Sequence, residues 1–429
     1  MRHENQMSQL SICIAEKLAT LPSTPYKPYL FRINDALRRE NSEAYEPEIV
    51  AIGPYHRGKV KLQMMEEHKL LYLQELLKRR NELSVDMYVI AMQELEQKAR
   101  KCYAEPIKMN RDEFVEMMLL DGSFIIELFR KFSCEEQEQI DDPIFQASVI
   151  WLNIRRDLLL FENQLPFFVL SKLFDMSKDS NQGGPQENIL VLALKFLLQA
   201  IPDISYFKTP ETPEINDNHL LSLVHGIWCS RFATMVPSRI DANQERGWSF
   251  IKCTTGLRES GIKFVKATDS FSLFDIKFTN GIVKIPRLKI VDRTECLFRN
   301  MVAYEQYKGK TKPAYVTDYV IFIDRLINSP MDVKILDECG VIDNWLGNDK
   351  AVSFMVNKMS NQVGLNPNMF SYAEVFNDIN EHCGRTCHTW MANLNHNYFN
   401  NPWSSISVIG AFVLLVLTGI QTICSILQI

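Results

Sequence analysis

The sequence lacks every common catalytic signature. Its 429 residues contain no P-loop, no G-x-G-x-x-G, no G-x-S-x-G and no H-E-x-x-H, the patterns that mark phosphate cradles, nucleophile elbows and zinc helices. Glycine (17) and proline (18) are too sparse for a collagen-like or low-complexity chain, or for a fold turned by glycine at every strand. No cysteine pair has C-x-x-C spacing. The ten cysteines are dispersed and read as reduced, small core residues. A net charge of −5 and a pI near 6.0 give no footing for phosphate contacts, so nucleic acid is not an expected partner. None of the 28 asparagines lies in an Asn-x-Ser/Thr sequon. The first apolar stretch is cut by Glu16-Lys17 before it completes a signal peptide. Charge itself vanishes after Arg385, and the last 44 residues carry none with histidine counted neutral.

That charge-free tail contains the longest apolar run. Ile406 to Leu417 is interrupted only by Ser407 and Gly410. Asn401-Pro402 breaks the chain just before it, and Tyr398 and Trp403 stand where an aromatic belt would lie. Residues 403–428 are therefore expected to form one transmembrane helix, with the body cytosolic and the bilayer a partner. Upstream, the periodicity predicts helix after helix. Leu62, Met65, Leu70, Leu73, Leu76 and Leu77 mark one stripe. Residues 85–103 form a second helix, with Glu94/Lys98 and Glu96/Arg100 at i,i+4. Asn110 with Glu113 reads as a capping box opening the apolar segment 114–129. Ile189 to Ile201 reads as a buried helix, and Asp217 or Asn218 as the cap of the next. Asp292 with Glu295 reads as another capping box, and residues 369–396 as a long helix. One β signal stands out: Phe271 to Phe278 alternates, Asn280-Gly281 turns, and Ile282 to Ile285 returns. The fold class is thus mainly α (α+β), a compact helical body with a small hairpin or sheet element.

Four groups of residues invite a chemical reading. Asp121-Gly-Ser123 resembles a nucleophile elbow but lacks the second glycine, and reads as a small-residue step in a packed helix. Cys383 and Cys387, flanked by His382 and His388, lie one helical turn apart and make the best metal candidate. No second pair completes a four-ligand zinc site, so packing is the preferred reading. Asp157 and Glu162 sit in "RRDLLLFENQLPFF", where a carboxylate must find a donor or neutralise. A buried structural network with Arg155 and Arg156 is expected. Tyr55-His56-Arg57, in a Gly-Pro turn, reads as an ordered surface turn with anion binding as the alternative. No catalytic, cofactor-binding or metal residue is assigned.

The blocks "IVAIGPYHRG", "MMLLDGSFIIELF", "DLLLFENQLPFFVLSKLF", "LRESGIKF", "FDIKFTNGIVKIPRLKI", "RTECLFRNMVAYEQ", "VIDNWLGND" and "NPWSSISVIGAFVLLVLTGIQT" follow one another in order. Together they resemble the plant family called domain of unknown function 247 over residues 30–424. The resemblance implies a mainly helical plant membrane protein with a C-terminal span. Grass members implicated in pollen-side self-incompatibility imply recognition rather than catalysis. The resulting division is an N-terminal extension (1–29), the helical family domain (30–400) and the transmembrane helix (403–428). The expected function is a tail-anchored recognition or scaffold protein, not an enzyme, binding another protein through its cytosolic body. An unrecognised hydrolase or transferase is the alternative, and a structural or lipid-contacting membrane component is a third reading.

Overall fold

In a computed structural model the described residues are 9–19, 27–79, 84–133, 142–178, 188–202, 218–236, 247–309, 312–385 and 402–427. In chain order the α-helices are α1 (Gln9–Ala19), α2 (Asp35–Glu40), α3 (Met64–Arg79), α4 (Asp86–Arg100), α5 (Arg111–Ser133), α6 (Pro143–Gln146), α7 (Ser148–Asp157), α8 (Phe167–Met176), α9 (Ile189–Leu197) and α10 (Leu220–Met235). They continue with α11 (Thr254–Glu259), α12 (Thr294–Tyr307), α13 (Tyr315–Leu326), α14 (Pro330–Glu338), α15 (Asp349–Met359), α16 (Ala373–Gly384) and α17 (Pro402–Leu427). The strands are β1 (Lys263–Lys266), β2 (Lys277–Thr279), β3 (Ile282–Ile285), β4 (Leu288–Ile290) and β5 (Ile342–Asn344).

Helix α5 is the axis of the first half. Its segment from Phe114 to Arg130 is buried on every residue but Glu116, polar ones included, so it must be covered on every side. Helices α3, α4, α8 and α9 supply the cover. The expected box opens it: Asn110 Oδ1 accepts the Glu113 N–H at 2.9 Å, and Glu113 Oε2 accepts the Asn110 N–H at 2.9 Å. Gly122 permits the approach of α8, since a Cβ there would lie 2.3 Å from Leu173 Cδ1. Asp121-Gly-Ser123 is thus a packing step.

The second half gathers α12–α15 and two small sheets. β3 is central between β2, antiparallel, and β1, parallel, while β4 pairs with β5 in parallel. Asn280 (φ 51°) and Gly281 (φ 77°) form the two-residue turn, with Thr279 opposite Ile282. Helix α10 touches α9 of the first half and α12 and α13 of the second, and one continuous apolar core runs through both halves.

Several expectations are corrected. The alternating run from Phe271 is not a strand before Lys277. Ser270 Oγ donates to the Ser272 carbonyl and Ser272 Oγ accepts the Phe274 N–H, so side chains satisfy the backbone in bends rather than in a ladder. Asp292 and Glu295 make no capping box. Thr294 Oγ1 accepts the Val291 N–H instead, and Glu295 pairs with Arg299 at 2.7 Å. His219, rather than Asp217 or Asn218, caps α10, with Ser222 as reciprocal partner. The helix expected over 369–396 starts at Ala373 and runs to Gly384; residues 386–401, including Cys387 and His388, lie outside the described residues. The expected transmembrane helix over 403–428 is not established. The backbone is helical over Pro402–Leu427, yet among the described residues no helix is long and apolar enough to cross a membrane. Its longest run of described side chains is Ile409–Ile423, which rises about 22 Å against a hydrocarbon core of about 30 Å.

Candidate functional site

The block "DLLLFENQLPFF" is a polar hub. It begins at the last residue of α7 and ends in α8, and it carries four buried polar side chains, one on the helix and three in the turn, each bonded to backbone. Asp157 accepts the N–H groups of Glu48 (3.0 Å), Ile49 (2.7 Å) and Val50 (3.0 Å). Asn163 Oδ1 accepts the Ile52 N–H at 2.7 Å, and its amide donates to the carbonyls of Val50 and Asp157. Gln164 donates to the carbonyls of Leu158 and Leu160 and accepts the Leu221 N–H. Glu162 accepts the Ile33 N–H and Arg38 Nη2, each at 2.5 Å. Segment 30–55 is thereby clasped as an arm against the body.

Burial raises the Asp157 carboxyl above its ordinary value, opposed by its three amides and Arg156. At Glu162 burial pushes the same way. The nearby His56, with hydrogen bonds from Arg38 and the Ile33 amide, outweighs it and holds the carboxyl below its ordinary value. The expected network therefore exists, with one difference in its membership. Arg156 pairs with Asp157 at 2.9 Å, but Arg155 stacks between Trp151 and Phe196 and donates to Gln199.

Tyr55-His56-Arg57 is bound into the same assembly. His56 is buried, with Nε2 3.4 Å from Glu162 Oε2 and Nδ1 2.9 Å from Lys59 Nζ, while Lys59 also pairs with Glu46. Tyr55 donates to the Leu30 carbonyl. Only Arg57 of the three stays partly open, 3.4 Å from Glu66. The turn is a structural joint with carboxylates on both sides, unsuited to an anion. Beneath it a fully buried Lys69 donates to Asp121, Glu66 and the Ala51 carbonyl, and Asp121 accepts the Gly53 N–H.

A second constellation has no counterpart among the sequence candidates. His225 and Cys229 stand one turn apart on α10, and Glu305 faces them from the end of α12. His225 Nε2 lies 2.7 Å from Glu305 Oε1 and 3.7 Å from Cys229 Sγ. Glu305 also accepts the N–H groups of Val316 (3.0 Å) and Thr317 (2.7 Å), which ties it to the first turn of α13. Burial pushes the Cys229 thiol well up, followed by the charge of Glu305. Glu305 also lines a cavity of about 410 Å³, together with Lys312, Thr317, Asp318 and Asn366. Burial raises the Asp318 carboxyl to about 8, although Ser371 donates to it through both N–H and hydroxyl. Nearby His219 is pushed down to about 3 by burial and by His225. The i,i+4 spacing of His225 and Cys229 was the one available sequence signal. Glu305 and Asp318 had none, since their partners arrive from α10 and from Ser371. The other metal candidate is not assembled among the described residues. His382 packs edge-on against Phe278, and Cys383 is half-buried.

These features define a class: a mainly helical protein with one core, in which a buried polar hub clasps an N-terminal arm. The profile of the plant family DUF247, described as "Plant protein of unknown function", matches residues 30–417, and the chain belongs to this family. It is 30% identical to UPF0481 protein At3g47200 of Arabidopsis thaliana, over 93% of this chain and 86% of that protein. It is 24% identical to Putative UPF0481 protein At3g02645 of the same plant, over 91% and 89%. No solved structure matches.

Proposed function

We propose that this plant protein is a single-pass, tail-anchored membrane protein whose cytosolic helical body recognises another protein. One observation carries the anchor. Helix α17 bears no charge over 26 residues, and Phe412, Leu414 and Leu415 are 66–73% exposed in an unbroken run with their neighbours, whereas the apolar residues that the body exposes are scattered or in small groups. Exposed apolar surface of that extent in water is unfavourable, and a bilayer removes it. Recognition through the body draws support from the outer face of α3. Met64 and Leu71, one heptad apart, project into solvent with Val60 just before them. Carbonate extraction and protease protection of tagged protein test the anchor. The wild type should resist carbonate with its body open to protease. Leu414→Lys with Leu415→Lys should free it, at about 2.5–3.5 kcal/mol per charge. Release of the wild type, or a protected body, overturns the reading. Met64→Ser with Leu71→Ser should abolish partner capture by proximity labelling without lowering Tm.

The hydrolase or transferase reading draws on one observation, a carboxyl raised to about 8 on a cavity shared with a second carboxylate. A buried carboxyl that keeps its proton near neutral pH is the form in which a general acid works. Turnover of a model ester or phosphate, lost in Asp318→Asn, would favour it over recognition.

A further inference from the structure

We propose that His225, Cys229 and Glu305 form a site for a zinc-like divalent cation, its open position facing the cavity beside Asp318. The three ligand atoms lie within 4.8 Å of one another and all three residues are buried. Sulfur, imidazole nitrogen and carboxylate oxygen together are the donors of a borderline-soft ion.

The decisive geometric point is that one imidazole nitrogen faces both partners. In a nucleophilic relay the histidine uses opposite nitrogens, one toward the thiol and one toward the carboxylate. Here Nε2 is 2.7 Å from Glu305 Oε1 and 3.7 Å from Cys229 Sγ, so nitrogen, oxygen and sulfur are gathered within 4.8 Å of one another. A cation placed among them would be bound by all three. Charge agrees: a divalent cation with one thiolate and one carboxylate sums to zero, the cheapest sum to bury.

The supporting shell is present on one side. The Val316 and Thr317 amides fix the Glu305 carboxylate in orientation, as outer hydrogen bonds do for metal-bound carboxylates. Of the three, Glu305 borders the cavity of about 410 Å³, so an ion and a water as fourth ligand would enter past its buried carboxylate. Thr317 Oγ1, buried without a hydrogen-bond partner among the described residues, belongs to the same lining. Binding requires the thiol to release its proton to solvent and the imidazole proton to shift from Nε2 to Nδ1. One proton is therefore released per ion bound.

Co²⁺ titrated into the full-length chain in detergent tests this, because tetrahedral cobalt with a thiolate ligand absorbs visibly and shows a thiolate-to-cobalt charge-transfer band. The expected result is a single equivalent bound, displaced by Zn²⁺, with the charge-transfer band lost in Cys229→Ser and retained in Cys13→Ser and Cys383→Ser. If Cys229→Ser does not fold, as judged by near-ultraviolet circular dichroism, Cys229→Ala must show the loss. No charge-transfer band in the unaltered chain overturns the proposal. So does a band that survives the Cys229 substitution or disappears with Cys383. In either case the cluster is a buried His–Glu hydrogen bond that anchors α13.

Discussion

Two buried groups give opposite slopes to the pH dependence of stability. Native Asp318 keeps its proton up to about 8, while the unfolded chain releases it near the ordinary carboxylate value of 3.8. The native state therefore binds more protons between those values, and stability falls as pH rises through that window. His219 works the other way. The unfolded chain protonates it near 6.5 and the native state only at about 3, so stability is lost as pH falls through that range. Urea midpoints measured from pH 4 to 8 should show the alkaline decline flattened in Asp318→Asn. His219→Asn, which keeps a capping acceptor for the Ser222 N–H, should flatten the acid decline. Unchanged profiles would refute the assignment. At this scale the sequence was readable where a charged residue sat inside an apolar block. Asp157 and Glu162 had to find donors, and they did. It was silent where the partner is remote, as with Glu305 and its three donors.

Among the elements, the hairpin was the most legible, because its determinants are local. Positive φ at both Asn280 and Gly281 is a demand of the turn itself, and the two residues announce it. Gly281→Val should cost about 1 kcal/mol or more from the backbone alone. It also places a Cβ 3.0 Å from His382 Cε1, coupling the turn to α16. The urea midpoint should fall relative to wild type, and one that does not move would count against the turn. The box at Asn110 was readable for the same reason, and so was helix α9, although it buries one face and exposes Val191 and Lys195 rather than being buried all round. The run at Phe271 was not. Ser270 and Ser272 offer the backbone hydrogen bonds that compete with a ladder, and alternation in sequence does not reveal which wins. The box expected at Asp292 failed because Glu295 had a better partner in Arg299.

For the whole molecule, the continuity of the core through α10 makes a specific demand. The body should unfold in one transition, since neither half has a separate core to retain. Asp157→Ala orphans three amide N–H groups of the arm and should cost about 3–5 kcal/mol. Tryptophan fluorescence, which draws on Trp151 in the first half and Trp228, Trp248 and Trp345 in the second, should shift by the same amount as far-ultraviolet circular dichroism. Two separated transitions would show that the halves are independent domains. The continuity of the core was only half visible in the sequence. Periodicity located the helices, but which of them share a core depends on contacts between segments far apart in the chain.

The clasp also dictates an order of events during synthesis. The arm is made early, and its amides at 48–50 must wait for Asp157, some 107–109 residues later. At about 5–20 residues per second that is roughly 5–20 s on the ribosome. The Ala44 carbonyl waits longer, for Asn300, 256 residues on, adding roughly another 7–30 s. Until Asp157 and Asn163 are made, the Val50 and Ile52 amides lack the acceptors that they have in the folded protein. A ribosome that pauses after Asp157 but before Asn300 would hold the chain with its arm half fastened.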